Sequence, residues 1–304
     1  MAENNFPRII TQKQKIDFIK QKFKKKLGYD LNIQNPETFN EKIQWMKIFY
    51  QRKIITECAD KYEVRRFVKK TIGDEYLIPL VGKGVYSSVS ELSFDALPEK
   101  FVLKTTDGWK TNIICTDKSK LDIDETRRKL EGWLDKGHSH YYLHLEWAYK
   151  NIRPRIICEE FIEQAGGLID YRFWCFNGSV GLIQVSSDRQ IGQLKQDYFD
   201  CDWNHLDITR SNYPNNDRGL SKPRLLEQMI DISEKLATPF PFVRVDLYEV
   251  NGVIKVGELT FYPANGMADI KPFEWDKKLG SMLKLPGKGF VFPFEINKRK
   301  LGHK

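Results

Sequence analysis

Apolar residues recur along the chain with two periods, and the switches between them mark out its elements. In the stretch 12–28, Ile16, Ile19, Phe23 and Leu27 share one helical stripe, lysines fill the other faces, and Gly28 supplies a stop. This predicts an amphipathic basic helix. A second helix is predicted in "NPETFNEKIQWMKIFYQR", with Asn35 or Thr38 near its start, and a third in "ADKYEVRRFVKKTIG" up to Gly73. Tyr76 to Ile114 turns strand-like around Gly82, Gly84 and Gly108, and "DIDETRRKLEGWLDKG" reads as a further helix over 122–136. Strand patterns return in "RPRIICEEFI", "DYRFWCFNGSVGLIQVSSD" and "VRVDLYEVNGVIKVGELTFYP", interrupted by helical text in "LSKPRLLEQMIDISEKLA". The sequence shows no internal repeat. The order predicts an α+β protein with antiparallel sheets rather than a doubly wound parallel sheet.

The last strand-like stretch reads as a β-hairpin, and its register decides which side chains meet. With Asn251-Gly252 alone as the loop, Asp246 and Glu258 point to opposite faces. With Val250-Asn251-Gly252 as a three-residue loop and Gly252 left-handed, Glu258 falls opposite Arg244, with Asp246 and Thr260 on the same face. Val243, Val245, Leu247, Val253 and Leu259 then make the apolar back. Two neighbouring carboxylates repel unless a cation sits between them, and an oxygen ligand set suits Mg²⁺ completed by phosphate and water. The bland alternative is a solvated hairpin face with a cross-strand Arg–Glu pair.

Composition narrows the setting. The 304 residues suffice for a sizeable core with two or three subdomains. No apolar run approaches a membrane span, and the polar opening "MAENNFPRII" lacks the apolar region of a signal peptide, so the cytoplasm is the expected compartment. Cys58, Cys115, Cys158, Cys175 and Cys201 form no CxxC pair and read as packed, reduced thiols. A net charge of +8 favours anionic partners.

Several further clusters carry candidate chemistry. In "FVLKTTDGWKTNIIC" a strand delivers Lys104 beside a loop containing Gly108 and Lys110, where an ammonium and backbone N–H groups can hold phosphate oxygens. "RIICEEFIEQ" ends a buried-looking strand in Glu159, Glu160, Phe161 and Ile162, a pattern suited to a flat apolar slot with polar edges. Lys61 lies on a predicted helix. Taken alone, each feature reads first as a solvated surface group. Asp200-Cys201-Asp202 has the Asp-x-Asp spacing of a metal-dependent glycosyltransferase, although acids in such turns usually cap or face water. His138, His140 and His144 lack a further zinc ligand at suitable spacing. The lysine-rich helix leaves open a non-enzymatic binder of acidic glycan or membrane surface.

In this order, "ADK", "VLK" with its glycine loop, "EEFI", "RVD" and "GELTFYP" resemble the ATP-grasp superfamily. With "NPETFNEKIQWMK", "LIPLVG" and "DYRFWCFNG", the chain more narrowly resembles its teichuronopeptide and capsular polysaccharide biosynthesis branch. The resemblance implies an N-terminal helical region at 1–60, a small lid subdomain at 61–160 and a larger core subdomain at 161–304. It implies ATP and Mg²⁺ as cofactors, with Lys61 and Lys104 on nucleotide phosphates, Glu159 to Ile162 along adenine and Asp170 at the ribose. Arg244 would contact the transferred phosphoryl group, and Asp246 and Glu258 would ligate Mg²⁺. Thr260 stands where many members have Asn, and the loop "TTDGWKT" holds fewer glycines than usual, with Lys110 available to assist by charge. The implied reaction is ADP-forming ligation of a carboxylate to an amine through an acyl phosphate. The implied substrates are an acidic glycan or sugar acid and an amine or amino acid, without nucleic acid. Contact with the inner membrane face or a lipid-linked carrier stays open.

Overall fold

The computed structural model describes residues 11–135, 139–164, 167–187, 192, 194–211, 213–216 and 219–287, without the side chains of 139 and 140. The α+β expectation is met. Four helices come first: α1 (Gln12–Leu27), α2 (Phe39–Phe49), α3 (Lys53–Ala59) and α4 (Val64–Thr71). Then β1 (Leu80–Tyr86), β2 (Phe101–Thr105) and β3 (Asn112–Cys115) lead into α5 (Ile123–Asp135), α6 (Ser139–His144) and β4 (Ile156–Glu160). The remainder comprises β5 (Asp170–Phe176), β6 (Ser179–Ser187), β7 (Lys195–Phe199), β8 (Thr209–Arg210), α7 (Leu226–Ala237), β9 (Phe242–Val250), β10 (Val253–Thr260), β11 (Ile270–Lys271) and α8 (Phe273–Met282). Every described strand pairing within the sheets is antiparallel: β1-β4-β2-β3 form one sheet, β10-β9-β5-β6-β7 the second, and β8 with β11 a short ribbon.

Local chemistry fixes the helix ends. Thr11 and Thr38 each make a capping box, with Gln14 and Glu41 respectively, and Gly28 closes α1 in the left-handed region at φ 82°. Such a cap stabilises a helix by roughly 1 kcal/mol. The helix predicted from Ala59 to Gly73 instead begins only at Val64, and a separate helix, α3, precedes it and ends at Ala59. Asp60 Oδ1 accepts from the N–H groups of Tyr62 (2.8 Å) and Glu63 (3.1 Å), an Asx-type turn that separates α3 from α4. Lys61 therefore lies in a turn and not on a helix.

The larger sheet is covered on both faces. Val243, Val245 and Leu247 are fully buried on the side where α7 packs. On the other side Phe39 of α2 meets Trp174 at 5.0 Å and Phe242 at 4.9 Å between ring centroids. Burial of each such ring contributes roughly 1.5–3 kcal/mol. Asn40 then ties α2 to α8 by donating from its backbone N (3.0 Å) and Nδ2 (2.8 Å) to Asp276. The N-terminal helices thus share one continuous core with the larger sheet, while a smaller cluster, from Tyr86 to Cys158, lies under the other sheet. Four cysteines are buried, Cys201 is half-buried, and all five are free thiols.

The β9–β10 hairpin corrects the three-residue loop. Asn251 (φ 51°) and Gly252 (φ 80°) are both left-handed, the signature of a two-residue type I′ turn, and Val253 faces Val250. The register then shifts between Val256 and Glu258, where Gly257 is the extra residue of a bulge. Beyond it Glu258 faces Asp246 and Thr260 faces Arg244, rather than Glu258 facing Arg244. Core-facing positions change parity accordingly: Ile254 and Val256 are buried before the bulge, Leu259 and Phe261 after it. Val253, expected in the apolar back, is 53% exposed.

Candidate active site

The bulge and the pairing of β5 with β9 create two adjacent rows across the larger sheet. One row runs Glu258, Asp246, Arg172, Gln184, and the next runs Thr260, Arg244, Trp174. Arg244 grips Asp246 with two bonds of 2.6 Å, from Nε to Oδ1 and from Nη2 to Oδ2. Its Nη2 also donates to Glu258 Oε1 (3.2 Å) and Thr260 Oγ1 (3.1 Å). Arg172 lies behind, with Nη2 3.0 Å from Asp170 Oδ2 and Nε 3.3 Å from Asp246 Oδ2. Asp170, implied at a ribose, is thus engaged by an arginine that the sequence reading overlooked, although its place two residues along an alternating strand put it on the same face.

Burial pushes the Asp246 carboxyl up to about 6 despite Arg244 and Arg172. At Glu258, burial is outweighed by Arg244, Lys61 and Arg172, which hold its carboxyl below the usual range. The Glu258 side chain keeps 44% of its surface open, toward a pocket, whereas Asp246 and Arg244 keep under 10%. One guanidinium nitrogen already bridges both carboxylates and the Thr260 hydroxyl, so these oxygens form a set that accepts a cation between them. Asp246, Glu258 and Thr260 fit Mg²⁺ in donor chemistry. Among the described residues no group of three or more His, Cys, Asp or Glu is arranged for a metal.

Lys61 reaches this site from the α3–α4 turn. Its backbone N donates to Thr106 O (3.1 Å) and its Nζ to Gly108 O (2.5 Å). Arg155 braces the turn by pairing with Asp60 (2.9 Å) and Glu63 (3.0 Å). Lys61, Gly108 and Glu258 line one narrow gap, and burial lowers the Lys61 ammonium against the opposing pull of Glu258. Gly108 (φ 78°) and Lys110 (φ 63°) are both left-handed, which folds the loop over the pocket of Arg244 with Lys110 Nζ 5.2 Å from the Trp109 ring centre. Lys104 lies on β2, its Nζ bound to Glu159 Oε2 of β4 at 2.5 Å. Arg65 is 3.9 Å from the same carboxylate. Glu159 is buried, Glu160 is exposed, and Phe161 and Ile162 are half-buried where the chain leaves β4 toward the larger sheet.

Of the remaining candidates, His144 and the lysines of α1 line the same cavity as Arg244, whereas Asp200 does not. Asp200 caps its own turn, accepting from Asp202 N (3.0 Å), Asn204 N (2.8 Å) and Asn204 Nδ2 (2.8 Å). His144 Nδ1 is 3.0 Å from Asn265 Nδ2. His138 and the His140 side chain fall outside the described residues. No described helix is long and apolar enough to cross a membrane. The basic helix packs Ile19 and Phe23 into the core, while Lys22, Lys25 and Lys26 line the same cavity of about 710 Å³ as Arg244, Glu258 and Thr260. Hydrophobic periodicity located the helix but not this placement of its lysines.

Among solved structures, the chain is similar to D-alanine–D-alanine ligase from Bacillus anthracis complexed with ATP, at 14% identity over 74% of this chain and 62% of that one, with a TM-score of 0.40. It is also similar to the ATP-grasp ligase PsnB complexed with minimal precursor, at 12% identity over 70% and 54%, with a TM-score of 0.39. Phosphoribosylamine–glycine ligase from Thermotoga maritima matches at 13% identity over 68% and 48%, with a TM-score of 0.40. The chain spans less than two thirds of each of these proteins. No curated protein matches it in sequence. The model of the family described as TupA-like ATP-grasp matches residues 41–284, which include Lys61, Lys104, Arg244, Asp246 and Glu258, and the chain belongs to that family.

Proposed function

We propose that the protein is an ADP-forming carboxylate–amine ligase that joins an amino acid or amine to a sugar acid of a surface polysaccharide. The observation that carries this reading is the single cavity in which Arg244, Glu258 and Thr260 share walls with Lys22, Lys25, Lys26 and Lys110. An acid-and-arginine cluster suited to metal-bound phosphate faces four lysines suited to an anionic acceptor. In this reading Asp246, Glu258 and Thr260 would hold Mg²⁺, which when bound would supply positive charge to balance phosphate oxygens. Lys61, Lys104 and the backbone around Gly108 hold the nucleotide phosphates, with adenine along Glu159 to Ile162 and the ribose toward Asp170. Arg244, freed from part of its bonding to Glu258, stabilises the acyl phosphate and its departing phosphate. The lysine face also suits a lipid-linked acidic carrier at the inner membrane surface.

The test is incubation of the protein with Mg²⁺-ATP and pairs of uronic acids and amines, followed by nucleotide chromatography. ADP and phosphate released only when both substrates are present support the reading. Release of AMP counts against it.

A further inference from the structure

The cavity has a second polar wall that the phosphate chemistry leaves unused. Leu145, left-handed at φ 54°, turns the chain out of α6 and places Glu146 against the cavity. Glu146 is only 4% exposed, and its carboxylate forms no hydrogen bond or ion pair among the described residues. Lys47 of α2, fully buried, pulls against the burial that raises the Glu146 carboxyl to about 7. Lys47 does not satisfy it. An ammonium has three donors, and those of Lys47 go to Gln44 Oε1 (3.0 Å), Asn265 O (2.6 Å) and Asn265 Oδ1.

The Lys47 acceptors are held with care. Ala264 (φ 47°) and Asn265 (φ 61°) are consecutive left-handed residues without the licence of glycine, and a conformation of that kind costs of order 1–3 kcal/mol per residue. That segment points Asn265 at Lys47 and also sets it beside His144. A buried carboxylate beside a cation whose donors are spent costs stability unless something completes it. The missing partner must enter from the cavity, must donate hydrogen bonds, and gains most if it is cationic.

We propose that Glu146 is the receptor for the ammonium group of the amine substrate and the base that takes its proton. This rests on the ligase reading and assigns it a residue. The ammonium of the incoming substrate donates to Glu146 and passes it one proton, leaving a neutral amine. The nitrogen lone pair then forms the C–N bond at the acyl phosphate carbonyl. The C–O bond to phosphate breaks with its electron pair leaving on phosphate, which takes the second nitrogen proton. One amide, one hydrogen phosphate and a protonated Glu146 result. The site requires a primary ammonium at this wall, while lysines of α1 that line the same cavity receive the carboxylate partner.

The experiment compares two nucleophiles within each enzyme. Hydroxylamine is neutral at neutral pH and captures an acyl phosphate as hydroxamate without a base, whereas an amino acid arrives as an ammonium. Wild type, Glu146→Gln and Glu146→Asp are given Mg²⁺-ATP and D-glucuronate, D-galacturonate or L-glutamate, with either hydroxylamine or a panel of the standard amino acids and ethanolamine. Glu146→Gln is expected to keep hydroxamate formation and lower the amide-to-hydroxamate ratio about 100-fold, in the range of a lost general base. An unchanged ratio overturns the proposal, and so does a wild-type enzyme that makes hydroxamate but no amide with any primary amine. If wild type makes neither product, the ligase reading itself fails. If Glu146→Gln makes no hydroxamate because its site has collapsed, Glu146→Asp is read instead. Withdrawing the carboxylate by one methylene should lower the ratio about 10-fold or more, and an unchanged ratio again overturns the proposal.

Discussion

Glu258 stands directly opposite Asp246 across β9 and β10, and it does so because Gly257 inserts one unmatched residue between Val256 and Glu258. Without the bulge, the two-residue turn at Asn251-Gly252 would carry Glu258 to the face of Val243 and Val245. The space at Gly257 is correspondingly tight. A Cβ there would sit 2.8 Å from Tyr248 Cε2 and 3.3 Å from Asp246 O. Gly257→Val should therefore cost about 1–3 kcal/mol by overpacking. It should also shrink the rise in melting temperature that Mg²⁺-ADP gives the wild type. Thermal melts with and without Mg²⁺-ADP check both effects, and wild-type behaviour in each would show that the bulge does not position the acids.

How much of this was legible follows from the same strands. Alternation announced the hairpin, and the residue types Arg244, Asp246, Glu258 and Thr260 announced a polar face, because side-chain chemistry is written locally. Loop length alone leaves the register open between two and three residues, although the shift is present in the text: Ile254 and Val256 are two apart, Val256 and Leu259 three. The late start of α4 at Val64 was masked by the helical periodicity around it, since an Asx turn at Asp60 needs only one side chain to displace a helix start. Arg172 was legible from strand alternation beside Asp170, whereas the lysines of α1 at the cavity and Glu146 depend on contacts between distant segments, which no local pattern encodes. Their assembly awaits the packing of α2 against Trp174 and Phe242.

Lys104 provides a test of the nucleotide side. Its 2.5 Å pairing with Glu159 places an ammonium between two strands, where a phosphate can replace or share the carboxylate. Lys104→Ala should weaken ATP binding at least about 10-fold, as loss of one charge-assisted contact of 1.5–3 kcal/mol requires. Lys13→Ala, on the exposed start of α1, should leave it unchanged. Calorimetric titration of ATP into both variants measures the difference, and equal affinities would remove Lys104 from the nucleotide site.

The lysines of α1 test the acceptor side separately. Lys25 and Lys26 are exposed and line the cavity without an ion pair between them and any described acid. Reversing both, with Lys25→Glu and Lys26→Glu, should raise KM for the carboxylate substrate by about 10-fold or more, since attraction becomes repulsion. ATP affinity should change less than twofold. Steady-state kinetics at low and high salt check this, because a genuine charge effect weakens as salt screens it. An unchanged KM would confine these lysines to the surface.

Glu258 and Asp200 separate ligation from glycosyl transfer. Glu258 is the more open of the two facing acids and is stabilised in its charged form by Arg244, Lys61 and Arg172, so Glu258→Gln should lower the metal-free melting temperature by only a few degrees, the cost of about 1 kcal/mol. ATP turnover should nevertheless fall by orders of magnitude, because the neutral amide is a poor ligand for the cation that would balance the transferring phosphate. Asp200→Asn removes part of a solvent-facing turn, where the carboxylate serves the backbone of Asp202 and Asn204. It should cost no more than about 1 kcal/mol and leave turnover close to wild type. A metal-dependent glycosyltransferase centred on Asp200 and Asp202 predicts the opposite order of loss. One activity series on the two variants, with thermal melts as the folding control, decides between them, and near-wild-type ATP turnover by Glu258→Gln would reduce the pair at Asp246 and Glu258 to a structural contact of Arg244.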